Sequence, residues 1–338
     1  MIPKACGVGN LFSDCLNVHP DKEKEKAMRN APRVSVLMPA YNVEKYVGEA
    51  IESVLNQTFT DFEFIIINDG STDNTAKIIA DYAKKDKRIR FVNHRKNQGL
   101  IAVLNEGLDL CRGEYIARMD SDDISLPERF AKQIAYLDAH PECGVLGTWC
   151  EKFGENIHNQ IWKYPQHVKL MDLLIRGSLV AHPSVMIRFD ILKKHKIKYN
   201  HKYIYAEDYG LWSECIKHTE IHNLQERFLL YRWHSTNISN VHKLTQNKTT
   251  FEIKIKIIND ISSNPVEINK ILYMSQETNE YFYLFGLLPV VRRKQYATIK
   301  TKYYLFNKIP LIREQNGRIY LFDIIKIGIM KCKAQMFQ

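Results

Sequence analysis

The sequence predicts an α/β protein with a mainly parallel central sheet flanked by helices. Two observations carry that expectation. Between Val34 and Met119, β-rich runs alternate with segments of helical periodicity, and the run Phe62 to Ile67 is almost continuously apolar, as in a strand buried on both faces.

Val34-Ser35-Val36-Leu37-Met38 is the first strand, closed by Pro39. Apolar residues at Val43, Tyr46, Val47, Ala50, Ile51, Val54 and Leu55 fall on one helical face. The buried run at 62–67 is the second strand, punctuated by Asp69-Gly70-Ser71, and a helix follows from about Thr75 to Lys84. Ile89 to Val92 is the third strand, Ile101 to Cys111 the third helix and Tyr115 to Met119 the fourth strand. Alternation of this kind implies right-handed crossovers, a mostly parallel sheet, and ligand chemistry beyond the carboxyl ends of the strands.

Ser125-Leu126-Pro127-Glu128 has the form of a capping box with Pro in the first turn, launching a helix with Phe130, Ile134 and Leu137 inward. Cys143 to Thr148, Ser184 to Arg188 and part of Ile221 to Trp233 read as further strands. A change to Lys, Ile, Asn and Tyr at about 245 marks a boundary. The expected organisation is a leader at 1–32, a principal unit at 33–245 divided into halves at 33–124 and 125–245, and a basic, mostly helical region at 246–338.

A length of 338 residues with 45% hydrophobic and 11% aromatic content supports a large packed core. Residues 241–338 hold 16 Lys and Arg against 7 Asp and Glu, nine of the ten net positive charges. The charge therefore belongs to the tail, where nucleic acid, anionic lipid and phosphorylated substrates are all chemically suitable partners. Seven scattered cysteines with no CxxC pair argue against a disulfide framework or zinc ribbon and fit a reducing, cytoplasmic setting. Cys6, Cys15 and His19 lack a fourth ligand at a recognised spacing and read as ordinary side chains. Residues 1–20 contain no apolar signal-peptide core, and no stretch approaches the ~18 uncharged apolar residues of a spanning helix.

Asp120-Ser121-Asp122-Asp123 places three carboxylates in four residues beyond the fourth strand. Mutual repulsion in a crevice demands a cation, and in extended backbone Asp120 and Asp122 project to one side, which suits Mn²⁺ or Mg²⁺ with diphosphate oxygens completing the shell. The alternative is turn and capping chemistry, which Ser125 is expected to supply. Asp69 is either a nucleoside contact or an Asx turn. With no GxGxxG after the first strand and no P-loop, phosphates fall to metal and side chains, with Arg95, Lys96 and Arg118 as candidates. Glu207-Asp208, at the expected start of a helix, is a dipole-favoured acidic pair or a site for proton abstraction. His234 is a candidate metal or phosphate contact, and His182 a weaker one.

Val34 to Asn42 (VSVLMPAYN), Asn68 to Thr75 (NDGSTDNT), Asn97 to Gly107 (NQGLIAVLNEG), Gly113 to Arg129 (GEYIARMDSDDISLPER) and Glu207-Asp208 together resemble inverting family 2 glycosyltransferases of GT-A fold, of the bacterial surface-polysaccharide type. The resemblance spans residues 33 to about 240 and implies a Rossmann-like nucleotide-binding half. It implies that Pro39, Ala40 and Tyr41 line the nucleotide pocket, that Asp69 meets the uracil or its neighbourhood, and that Gly99 belongs to the donor site. By the same likeness Asp120 meets ribose or metal, Asp122 is the main metal ligand and His234 a further one. Asp208 is then the general base and Glu207 its helper.

The implied reaction moves a hexose or N-acetylhexosamine from a UDP-sugar to a saccharide hydroxyl, the acceptor being carried on a polyprenyl diphosphate, with no nucleic acid involved. The tail's Arg292-Arg293-Lys294 and Ile319 to Met330 read either as a solvated helical cap or as peripheral contact with an anionic membrane, at the inner face of the cytoplasmic membrane. The rivals are a metal-dependent nucleotidyltransferase or nucleotide hydrolase, and a basic nucleic-acid-binding module. The latter lacks any reader motif.

Overall fold

The computed structural model describes residues 31–154, 160–234, 237 and 241–262, together with six short strands between 282 and 321. The 1–32 leader, apart from its last two residues, lies outside the described residues, as do Arg292-Arg293 and the apolar stretch after Leu321.

The first half folds as the alternation predicts. Strands β1 (Val34–Ala40), β2 (Phe62–Asn68), β3 (Ile89–Asn93) and β4 (Tyr115–Arg118) alternate with helices α1 (Val47–Leu55), α2 (Thr75–Lys85) and α3 (Leu100–Leu110). Beyond them come β5 (Ile124–Ser125), α4 (Arg129–Ala139), β6 (Cys143–Gly154), β7 (Gln160–Trp162), β8 (His167–Val168), α5 (Leu170–Arg176), β9 (Met186–Arg188), α6 (Phe189–His195), α7 (Glu207–Cys215), β10 (Glu220–Trp233) and α8 (Lys243–Ser262).

These strands form one sheet in the order β3-β2-β1-β4-β9-β6-β10-β5, with β7 on β6 and β8 on β10. Pairings β3-β2, β2-β1, β1-β4 and β6-β10 are parallel, and β9 is antiparallel to both neighbours. Every residue of β1 and β2 is buried. Alternation sends Leu37, Ile65 and Ile67 to one face under α3, while Val36, Met38, Phe64 and Ile66 face α1 and α4. Because β1 has β2 on one side and β4 on the other, the chain winds outward in both directions from β1. The crevice beyond the carboxyl ends of β1 and β4 is the switch point where such sheets receive ligands.

The capping box does not form. Ser125 is in β5, where it pairs with Leu229 and accepts a hydrogen bond from Gln57 Nε2 at 3.1 Å, and α4 begins at Arg129 with no side-chain cap. Long-range pairing takes the serine that local spacing assigns to the helix. The inward face of α4 is as expected, with Phe130, Ile134 and Leu137 buried.

Helix α8 straddles the boundary expected near 245. Its Ile253 and Ile257 are buried in the same core as Leu211 and Trp212, so the packed unit continues to Ser262. Beyond that helix the described elements are strands, not the helices expected of this region. Phe282–Leu284 pairs with Leu288–Val291, and Lys294–Tyr296, Lys300–Leu305, Ile309–Gln315 and Arg318–Leu321 form an antiparallel sheet. Runs such as Lys300-Thr301-Lys302-Tyr303-Tyr304 have the β-branched and aromatic content of strands. Among the described residues no helix is long and apolar enough to cross a membrane.

Candidate active site

Three strand ends meet at the switch point. β1 delivers Pro39 and Ala40, both buried, and then Tyr41, 47% exposed at the rim. β2 delivers Asp69, whose backbone N–H donates to the Ala40 carbonyl at 2.9 Å. The Asp69 carboxylate accepts the backbone N–H groups of Gln98 at 2.7 Å and Gly99 at 2.9 Å. It is therefore neither free nor in an Asx turn. It caps the amino end of α3, where the helix dipole favours a negative charge, and Gly99 is the N-cap residue with φ +92°. Gly70 follows at φ +69°, and a Cβ there would stand 2.5 Å from the Lys96 carbonyl carbon, so the 68–72 turn and the loop into α3 touch backbone to backbone. Arg95 lies exposed on that loop.

β4 delivers Arg118 and the acidic run. Carboxylate oxygens of Asp120, Asp122 and Asp123 all lie within 4.8 Å of one another. Burial raises the Asp120 and Asp123 carboxyls above their ordinary range, and the neighbouring Asp122 charge adds to both shifts. One oxygen of Asp123 is buried without a hydrogen-bond partner. Such an all-oxygen, under-neutralised cluster has the donor set of a hard divalent cation.

The far edge of the site comes from β10, about 110 residues later in the chain. Arg232 donates its backbone N–H to Asp123 Oδ1 at 2.8 Å and its Nε–H to the Asp122 carbonyl at 2.7 Å, while its other end pairs with Glu49. His234 Nε2 is 3.0 Å from Asp122 Oδ2, and Tyr46 stacks on the imidazole at 5.2 Å between centroids. Asp123, whose role the sequence leaves open, thus ties the acidic loop to β10, and Arg232 is a positioning residue that sequence reasoning misses. Its signal is present only as the Arg of Tyr231-Arg232-Trp233-His234.

Arg118 is buried and paired with Asp120, which holds its charge firmly despite burial. The Arg118 charge also acts on Glu207 and Asp208, the first two residues of α7, opposing the upward shift of both carboxyls. Burial, then the Asp208 charge, lifts Glu207 to about 7, and burial raises Asp208, which accepts a weak hydrogen bond from Ser178 Oγ at 3.5 Å. His182 is buried beside this group, 2.8 Å from Tyr199 Oη, and burial with the Arg118 charge holds it neutral, a packing role. Arg129 is the second residue that the sequence hides. Fully buried, it donates to the Arg118 carbonyl at 2.7 Å and the Val185 carbonyl at 3.2 Å, fixing the end of β4 from below, and burial pushes its own ionisation down to about 9.

The structure therefore gathers Asp120, Asp122 and His234, with Arg118 paired to Asp120 and its charge felt at Glu207 and Asp208. Pro39, Ala40, Tyr41, Asp69 and Gly99 line the adjoining strand ends. Fold and site together define a GT-A type enzyme. The profile "Glycosyl transferase family 2" matches residues 35–196. An uncharacterised glycosyltransferase of Haemophilus influenzae is 34% identical over 298 residues, covering 78% of this chain and 92% of that protein. The O-antigen biosynthesis glycosyltransferase WbnJ of Escherichia coli is 36% identical over 218 residues, covering 62% of this chain and 83% of its own. The crystal structure of S. aureus TarS 1–349 in complex with UDP superposes with a TM-score of 0.51 at 22% identity, covering 69% of this chain and 72% of that one. The chain belongs to glycosyltransferase family 2. That membership sets aside the readings as a nucleotidyltransferase, a nucleotide hydrolase or a nucleic-acid-binding module.

Proposed function

We propose that this glycosyltransferase is metal-dependent and inverting, and that it moves a hexose or N-acetylhexosamine from a UDP-sugar to a hydroxyl of a saccharide acceptor. The observation that carries the reading is the clustering of the Asp120, Asp122 and Asp123 carboxylates at the switch point, with Arg118 paired to Asp120 and its charge felt at Glu207 and Asp208. Asp122 and Asp120, with His234 beside them, are the residues that would hold Mn²⁺ or Mg²⁺. Bound there, the ion supplies positive charge against a departing nucleoside diphosphate.

Asp208 takes the proton of the acceptor hydroxyl as its oxygen attacks the anomeric carbon from the face opposite the leaving group. One displacement inverts that carbon, so an α-linked donor yields a β-glycoside. Glu207 is the helper beside Asp208, its carboxyl holding a proton up to about 7 through burial and the Asp208 charge. Tyr41, Asp69 and Gly99 bound the nucleoside end, with Arg95 and Arg118 on the phosphate side. The relative named for O-antigen biosynthesis supports an acceptor in surface-polysaccharide assembly; we assign that acceptor to a polyprenyl diphosphate carrier at the cytoplasmic face of the membrane. Thermal-shift measurements with Mn²⁺ and a panel of UDP-, GDP- and dTDP-sugars test this. Stabilisation by UDP-sugars, dependent on the cation, is expected; stabilisation by GDP- or dTDP-sugars alone would overturn the donor assignment.

A further inference from the structure

At the opposite end of β10 from His234, a second group of metal-ligating side chains converges. His167 of β8, with Glu220 and His222 of β10, place one ligand atom each within 4.8 Å of one another. The backbone builds this arrangement. His167 and His222 are register partners in the antiparallel β8–β10 pair, and Glu220 and His222, two apart on one strand, project to the same side. The two imidazole rings meet edge to face at 4.3 Å between centroids, and His222 Nε2 stands 2.8 Å from Glu220 Oε2.

The donor set differs from that of the active site. Two imidazole nitrogens and one carboxylate suit zinc-type divalent ions, which take nitrogen and oxygen ligands tetrahedrally, whereas an all-carboxylate cluster suits Mn²⁺ or Mg²⁺. The surroundings of His222 also fit. Its side chain is 2% exposed, and its Nδ1 lies 3.0 Å from Tyr136 Oη. A metal-bound histidine characteristically engages its second ring nitrogen in this way, which fixes the ring; on binding an ion the ring proton moves from Nε2, where it faces the Glu220 carboxylate, to Nδ1, where the Tyr136 oxygen can accept it. His167 and Glu220 are exposed, so the site opens to solvent and an ion can reach it directly.

We infer that His167, Glu220 and His222 form a second divalent-metal site, for a zinc-type ion, with water at the fourth position. The β8–β10 pairing spans just two register positions, Ile221 with Val168 and His222 with His167. An ion bridging the strands reinforces that short contact at the point where the chain enters α5, ahead of Ser178 and its hydrogen bond to Asp208. The ion clamps the segment leading to the acceptor side and takes no part in the transfer.

Zn²⁺ titration of the untagged full-length chain by calorimetry, with a thermal melt at each ratio, tests the inference. Wild type and Asp122→Asn should both bind a Zn²⁺ ion and melt at higher temperature with it. The surface variants His167→Ala and Glu220→Gln should fold normally without zinc but bind it at least about tenfold more weakly, and lose the melting shift. Co²⁺ in place of Zn²⁺ should give the intense visible absorption of a tetrahedral site in wild type and lose it in His167→Ala. Unchanged Zn²⁺ affinity and melting shift in both surface variants would overturn the site, as would no Zn²⁺ binding by wild type. Neither result bears on the Mn²⁺ dependence assigned to Asp120 and Asp122.

Discussion

His234 Nε2 rests 3.0 Å from Asp122 Oδ2 across 112 positions of sequence, and Tyr46 holds the imidazole in place from one face. The acidic loop after β4 and the end of β10 are therefore one chemical unit. Removing His234 should loosen the cation more than the nucleotide: His234→Ala is expected to weaken apparent Mn²⁺ affinity by about tenfold or more, read from activity against Mn²⁺ concentration. An unchanged Mn²⁺ curve would assign His234 to packing.

On the proposed assignment Asp122 carries the heavier role. Replacing it with Asn keeps the shape of the loop but removes the charge that faces the cation, and kcat should fall by about 100-fold or more, measured as UDP release. Near-normal turnover would remove Asp122 from the metal site.

Asp208 is expected to separate transfer from donor binding. In Asp208→Asn, transfer should drop by about 100-fold or more while calorimetry with UDP and Mn²⁺ gives the wild-type affinity. Loss of UDP binding would place Asp208 on the donor side instead.

Glu207 makes stability depend on pH. The folded chain holds its carboxyl proton up to about 7, because of burial and the Asp208 charge, whereas the unfolded chain releases it near 4.5. Folded Glu207 therefore binds more protons than unfolded Glu207 in that window, and its contribution is favourable below it and declines as pH rises through 7. The penalty above the window is on the order of 3 kcal/mol. Glu207→Gln, which cannot ionise, should gain melting temperature relative to wild type between pH 5 and pH 8. Parallel pH profiles would contradict the assignment.

Gly70 is required by conformation and by space. Its φ of +69° and the 2.5 Å approach to the Lys96 backbone leave no room for a methyl group. Gly70→Ala should cost about 2 kcal/mol in urea denaturation, through displacement of the loop that Asp69 holds. A loss within error of zero would mean that this loop can shift freely.

The parts of the fold readable from sequence are those decided locally. The buried run at 62–67 and the helical faces of α1 to α4 announce themselves by period, and the carboxylates at strand ends follow from the topology those periods imply. Ser125 is misread because its backbone is claimed by Leu229, a partner about 100 residues away that no local pattern reveals. Asp123 and Asp69 stay ambiguous for the same reason, since Arg232 in one case and the Gln98-Gly99 amides in the other define their work. The tail beyond Ser262 mixes Lys, Ile and Tyr at no clear period, and its strands are legible chiefly in residue type.

Arg118 has a consequence for the order of events. It is the arginine paired directly with a carboxylate of a crevice that also holds Asp122, Asp123, Glu207 and Asp208, so acids outnumber the bases facing them there and the crevice before catalysis is electronegative. A nucleoside diphosphate arriving by itself is repelled, while a cation, or a nucleotide already carrying one, is drawn in. On the metal-dependent reading proposed above, addition is ordered and the ion admits the donor. UDP injected into metal-free enzyme should therefore produce little heat, and the same injection after Mn²⁺ should produce a full isotherm; equal heats in the two cases would show that arrival is random.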